Sequence, residues 1–463
     1  MCWWRQALWR LFVKLVNLLL LVLILSPGVL RASAFDTFGL GSRSRAMGNT
    51  GVAISTDISA IYYNPANLSF VDNCLSIEIS RSLAELEILL GDRPAGYDPL
   101  NYESLQSGRG ANTQLPSHFA LAVGYVHNFG LPWLKLGALV YLPYSGIGNQ
   151  STSYPDQREQ YFSNSIHFEL LGSRLETQLI HLGFGVVAAD WLRLGAGVSI
   201  MPQSLSRAQV YTKNPVNPTE VDMNLDVRQS ANIAANLGAT LSPWKFLTVG
   251  LSWRQGQHYG LETENEIQIK GMETSSEIPY VQEINTVSNH SPSEFLAGVK
   301  FGKGMAKVTV EGSYRRWKDY LNSHGDIAGF GDTLEVATGF ELAGSGKALR
   351  LGARWVPSPV EEQTGRTNYV DNDRAVLSVG GGYPVSFLGS RFDLSAFVQL
   401  HIMLARENTK TAGTYAGCTE ADNGLVCDEN LELPGLQTGN PGFPWFSSGG
   451  WIVNAGGTAT WKF

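Results

Sequence analysis

The sequence predicts an all-β transmembrane barrel of fourteen antiparallel strands with an N-terminal hatch inside its lumen. Three observations predict it. Past residue 73, apolar residues recur with period two rather than 3.6. The alternating runs reach about ten residues, the length that crosses a bilayer at a tilt. Short and long connections alternate strictly along the chain.

Taken in order, residues 1–34 read as a secretory signal peptide. Arg5, Arg10 and Lys14 make the basic start, Leu15 to Leu25 is apolar apart from Asn17, and Ala32-Ser33-Ala34 is a small-residue cleavage site. This is the only continuously apolar stretch, so a bundle of membrane helices is excluded. Residues 35–73 are rich in Gly, Ala and Ser and lack strand periodicity, which suits a compact plug of short helical turns. Residues 74–463 are the expected barrel.

The strands follow from their alternation. Leu192, Leu194, Ala196, Val198 and Ile200 share one face, and Val308, Val310 and Tyr314 another. Leu349, Leu351, Ala353 and Trp355 repeat the pattern, as do the even positions from Phe392 to Leu404. The opposite faces carry charged residues, glycine and serine. Apolar outside and polar inside is the barrel pattern. By this parity Arg193, Arg228, Lys307, Arg315, Arg350, Arg354 and Arg391 face the lumen, with Asp226, Glu311 and Asp393 as their expected partners. An arginine or lysine is also the physical choice for a carboxylate head group.

Six short connections are expected around 128–132, 189–190, 242–245, 302–305, 344–347 and 387–389. Seven long ones lie near 83–115, 146–174, 205–221, 256–291, 319–331, 357–373 and 405–448. Trp133, Trp191 and Trp244 each follow a short turn and would form an interfacial girdle. The last strand alternates from Trp451 to Phe463, an ending that resembles the assembly signal of outer-membrane barrels and implies the barrel assembly machinery as a partner. Cys418 and Cys427 lie nine apart in a polar segment, so a local disulfide is possible in an oxidising compartment, while Cys74 reads as a buried thiol in a strand.

Composition removes other classes. The chain has 463 residues, 16% of them charged, and a net charge of −7 with no basic stripe, which excludes a nucleic-acid binder. No metal or cofactor motif is present. GSGKA (344–348) lacks the first glycine and the hydroxyl residue of a phosphate loop, and no H-E-x-x-H or G-x-S-x-G occurs, so no enzyme is expected.

One resemblance sharpens the reading. GLGSRSRAMG (39–48), GVAISTDISAIYYNP (51–65), the triplet Asn64-Pro65-Ala66 and the stretch 351–383 resemble the outer-membrane long-chain fatty acid transporter family, of the FadL and toluene-transporter type. The resemblance implies passive uptake of a fatty acid or aromatic hydrocarbon by a monomer in the outer membrane, among lipid and lipopolysaccharide. It implies hatch or gating roles for Asn64, Pro65 and Ala66, and an interior site near the aromatic N-terminus at Phe35 and Phe38. A lateral exit is implied at a kink in the third strand, where Gly137 and Pro143 stand. Candidate substrate contacts are then Phe35, Phe38, Arg193, Arg228, Lys307, Arg315 and Arg354. A second class fits the same N-terminus: a non-transporting outer-membrane barrel acting as a structural or secretion-adaptor protein.

Overall fold

A computed structural model of the chain describes residues 38–90, 109–113, 118–143, 179–213, 220–270, 280–321, 327, 329–361, 369–387, 389–409, 418–421, 424–427 and 445–463. The signal segment, Phe35 and the connection near 146–174 lie outside the described residues.

Fourteen antiparallel strands close into one barrel, and a further short strand, Arg109–Thr113, pairs with the end of the first of them. The fourteen are β1 (Cys74–Leu90), β2 (His118–His127), β3 (Leu134–Pro143), β4 (Leu179–Ala189), β5 (Leu192–Met201), β6 (Asn232–Trp244) and β7 (Leu247–Arg254), then β8 (Ser293–Phe301), β9 (Ala306–Arg316), β10 (Thr333–Gly344), β11 (Lys347–Val356), β12 (Arg374–Phe387), β13 (Ser390–Thr409) and β14 (Trp445–Lys462). Each strand pairs with its neighbour, and β1 closes the ring by pairing with β14 on one side and β2 on the other. Closure matters because an open edge in lipid would leave backbone N–H and C=O groups unpaired.

The face assignment holds in detail. On β10, Leu334, Val336, Phe340 and Leu342 are exposed, while Thr333, Glu335, Ala337 and Glu341 are buried. The same parity puts Val308, Val310 and Tyr314 outside on β9 and Thr309, Glu311, Ser313 and Arg315 inside. All six short turns fall where the sequence places them. Phe129, Trp133, Trp191, Trp244, Phe246, Phe301, Phe387 and Phe463 are exposed at that end, so the girdle is broader than three tryptophans. Trp244 is the last residue of β6 and precedes its turn, contrary to the sequence reading.

Two long connections also differ from expectation. Residues 204–213, 220–229, 257–270 and 280–291 form a four-stranded antiparallel sheet, most of which belongs to a separate compact unit. Their alternation continues past the barrel strands, so backbone pairing continues with it. Arg228 is on this sheet, half-exposed and 3.9 Å from Asp226, and is therefore not on a barrel strand.

Inside the barrel's own unit, residues 38–71 are almost entirely buried. They form α1 (Ser42–Ala46), α2 (Ala60–Tyr63) and a 3-10 turn over Pro65–Phe70. Wall glycines admit this segment at backbone contact. A Cβ on Gly195 would stand 2.2 Å from the Ala66 nitrogen, one on Gly250 2.2 Å from the Val52 oxygen, and one on Gly352 2.0 Å from the Gly48 nitrogen. Gly250→Ala should therefore destabilise the packed segment by about 1–3 kcal/mol. Hydrogen exchange of residues 48–56 checks this: faster exchange is expected, and an unchanged rate would contradict the packing.

Candidate functional site

The lumen is built from a floor and a wall. The floor is the segment 38–71, whose irregular backbone must find partners away from water. Wall side chains supply them. The Glu311 carboxylate on β9 accepts the amides of Gly51 and Val52, both at 2.9 Å. Asn236 on β6 donates to the Ile61 carbonyl at 2.9 Å, and Gln399 on β13 to the Arg45 carbonyl at 3.0 Å. Asn64 is the junction. Its Oδ1 accepts the Ala66 amide at 3.1 Å and caps the 3-10 turn, while its Nδ2 reaches the Val52 carbonyl and Thr240 Oγ1, each at 2.9 Å. Pro65 then starts the turn, where a missing N–H costs nothing.

Two arginines of α1 pin the floor to the wall. Arg43 makes a bidentate pair with Glu341 on β10, with both bonds at 2.9 Å. Arg45 is fully buried, donates to the Gly39 carbonyl and lies 3.4 Å from Glu78 on β1. Leu40 N–H donates to the Tyr63 hydroxyl at 3.1 Å, and burial pushes that phenol well above its ordinary range.

The wall has two chemically distinct arcs. Across β7 to β11 runs an alternating charge ladder: Arg254, Glu294, Arg315, Glu335 and Arg354. Arg315 lies 3.1 Å from both glutamates. Three arginines alternate with two glutamates, and the Glu311 carboxylate on β9 lies within electrostatic reach of Arg354. From β13 round to β5 the buried inner face holds an apolar cluster, Leu86, Ile88, Tyr141, Met201, Met403 and Ile452 with Phe38, beside buried polar groups of the same strands such as Glu78, His181, Gln399 and Asn454. His401 on β13 lies between the arcs. It is buried, its ring meets the Phe38 ring edge-on at 5.2 Å, and neither ring nitrogen has a hydrogen-bond partner among the described residues.

Several sequence-predicted residues take places the parity rule did not specify. Arg193 lies over the Phe70 ring at 4.1 Å, at the edge of the floor. Lys307 reaches Glu341 at 2.9 Å, and Arg391 lies 3.5 Å from Asp393. Arg315 and Arg354 are in the ladder. Glu311, expected to pair with an arginine, instead receives the floor's amides. The acids that hold the lumen arginines are Glu294, Glu335 and Glu341, which the sequence reading did not single out; their signal was their even spacing on the polar face of neighbouring strands. The third strand shows no break in its pairing register among the described residues. Its ladder is continuous from Leu134 to Tyr141 with β4 and from Leu136 to Pro143 with β2. Gly137 instead clears space for the floor, since a Cβ there would stand 2.8 Å from Ile61. Pro143 is the strand's last residue. Asn372 is buried and donates to the Leu404 and Ser448 carbonyls at 2.8 Å each, which places the 369–373 segment against β13 and β14. Cys418 and Cys427 stand opposite each other in the backbone register of a small hairpin. Among the described residues no group of three or more His, Cys, Asp or Glu could hold a metal ion.

Removing the Glu311 carboxylate tests the floor's attachment. Hydrogen bonds to a charged group contribute about 1.5–3 kcal/mol each. Glu311→Ala should raise exchange at the Gly51 and Val52 amides by about tenfold or more, read by hydrogen-exchange mass spectrometry of the folded protein.

No protein-family model and no curated sequence matches the chain. Solved structures do match over nearly its whole length. A Pseudomonas aeruginosa FadL homologue superposes with a TM-score of 0.59 at 15% identity, covering 94% of this chain and 99% of that one. The P. putida toluene transporter TodX gives 0.51 at 15% identity, covering 92% and 99%. The monoaromatic hydrocarbon channel CymD gives 0.50 at 13% identity, covering 93% and 99%. The chain therefore has the fold of the FadL-type and toluene-type transporters, a closed fourteen-stranded antiparallel barrel.

Proposed function

We propose that the protein is an outer-membrane channel for passive uptake of hydrophobic molecules, with long-chain carboxylates as the preferred class. One observation carries the reading: the lumen wall holds a buried apolar cluster on one arc and a ladder of buried arginines and glutamates on the other, against a packed floor. An acyl chain would pack against Leu86, Ile88, Tyr141 and Ile452 in place of Phe38, which fills that cluster while the floor is docked. A carboxylate gains from arginine at the opposite arc. His401, buried at the seam beside Phe38 with unpartnered ring nitrogens, is the residue positioned to meet the head group. The fold shared with hydrocarbon and fatty acid transporters supports the same reading.

Passage requires the floor to yield, because residues 38–71 are packed against the wall at backbone contact. Asn64, Pro65 and Ala66 are the gating residues in this reading. They join the second helix to the 3-10 turn and tie both to β6.

Uptake of labelled oleate and labelled toluene by cells expressing the protein tests the proposal. Oleate uptake should exceed that of empty-vector cells, and Pro65→Gly should change it. His401→Leu should lower oleate uptake several-fold and leave toluene uptake nearly unchanged. No uptake of either compound, with the barrel correctly inserted, would instead support a structural or adaptor barrel.

A further inference from the structure

A second polar site lies at the short-turn end of the barrel, between α1 and the inner faces of β9 to β14. The cavity there is bordered by Arg43, Asp57, Lys307, Glu341, Arg350 and Arg391, among others. Glu341 is its centre. Its Oε1 accepts Arg43 Nη2 and Lys307 Nζ, and its Oε2 accepts Arg43 Nε and Arg350 Nε, all at 2.9 Å.

An ionised carboxylate offers about four lone-pair positions. Four donors from three cations therefore use all of Glu341. Asp57 is a second acid of the cavity within electrostatic reach of Arg350, so two carboxylates face three cations, while Asp393 and Asp72 are paired with Lys462 and Arg391. Asp57 Oδ1 accepts the Ser59 amide at 2.9 Å and the Ser59 hydroxyl. Asp393 takes Lys462 at 2.7 Å and Arg391 at 3.5 Å, and Asp72 takes Lys462 at 3.0 Å. Arg350 is only 8% exposed, and its Nη1 has no hydrogen-bond partner among the described residues. The Gly382 Cα lies beside that nitrogen, where a Cβ would stand 3.0 Å away. A buried guanidinium N–H left unsatisfied is costly, and an incoming oxygen anion would relieve it.

We propose that this cavity is a binding site for a small oxyanion, a carboxylate or phosphate group, held by Arg350 with Lys307 and Arg43. The anion supplies the negative charge that Glu341 and Asp57 together leave unmatched. Such a site would receive an acidic head group, or a free anion, at the short-turn mouth. It is separate from the seam at His401 and does not depend on the uptake reading.

Calorimetric titration of the full chain in detergent micelles tests it, with inorganic phosphate, octanoate and octanol as probes. Octanoate should bind and octanol should not compete with it. Arg350→Gln should weaken octanoate binding about tenfold, and Lys307→Gln should weaken it in the same direction. Binding of phosphate as well identifies a site for free anions, whereas binding of octanoate alone identifies an amphiphile's head group. The proposal is overturned if neither anion binds, or if Arg350→Gln and Lys307→Gln, folded by circular dichroism, bind octanoate as well as the unsubstituted protein does. Oleate uptake is a separate readout, so either result leaves the transport proposal to its own test.

Discussion

An irregular backbone enclosed by a ring of strands must have its polar groups satisfied by that ring. This constraint organises the molecule. Segment 38–71 makes turn and helix hydrogen bonds of its own, such as Tyr63 N–H to the Ser59 carbonyl, but these leave groups such as the Gly51 and Val52 amides to be met by the wall, and water has little access to it. Glu311, Asn236, Gln399 and Thr240 therefore point inward at the heights where floor amides, carbonyls and side chains need partners. The glycines of the inner face are the steric counterpart of the same constraint. A wall with a Cβ at 195, 250 or 352 could not approach a backbone so closely. Floor and wall are thus specified together, and the charged clamp of Arg43 on Glu341 fixes their register.

The division of the inner wall follows from which partner each arc faces. Buried charges persist only where they are compensated. The ladder from Arg254 to Arg354 meets this by alternating sign across adjacent strands, so each glutamate touches an arginine on both sides. The apolar cluster needs no such compensation and packs as an ordinary core around Phe38, while Glu78 on the same stretch of wall is matched by Arg45. The two proposed sites lie where compensation is incomplete, at His401 on the seam and at Arg350 near the short turns.

Much of this was legible in the residues. Period-two alternation fixes which side of each strand faces lipid, and it correctly placed Lys307, Arg315 and Arg354 inside. Turn residues located all six short connections. Partner choice was not legible, because parity gives a face and not a height. Glu311 was expected to meet an arginine, yet its neighbours in space are amides from a segment some 260 residues earlier in the chain. Gly137 suggested a kink for a similar reason: a lone glycine in a strand signals close approach or a bulge, and only the packed floor decides between them. Arg228 failed because the same alternation occurs in the four-stranded sheet of 204–291, and periodicity alone does not mark where one sheet ends.

The account holds that a docked floor must move for a molecule to pass. Ser42 Oγ and Thr458 Oγ1 lie 2.5 Å apart across the junction of α1 and β14, close enough for a cross-link by paired cysteines. Labelled oleate uptake by a Ser42→Cys, Thr458→Cys protein, oxidised and then reduced, measures the need for motion directly, with each single variant as control. The account predicts that uptake falls on oxidation and returns on reduction. Equal uptake in both states, with the cross-link confirmed by mass, would contradict it.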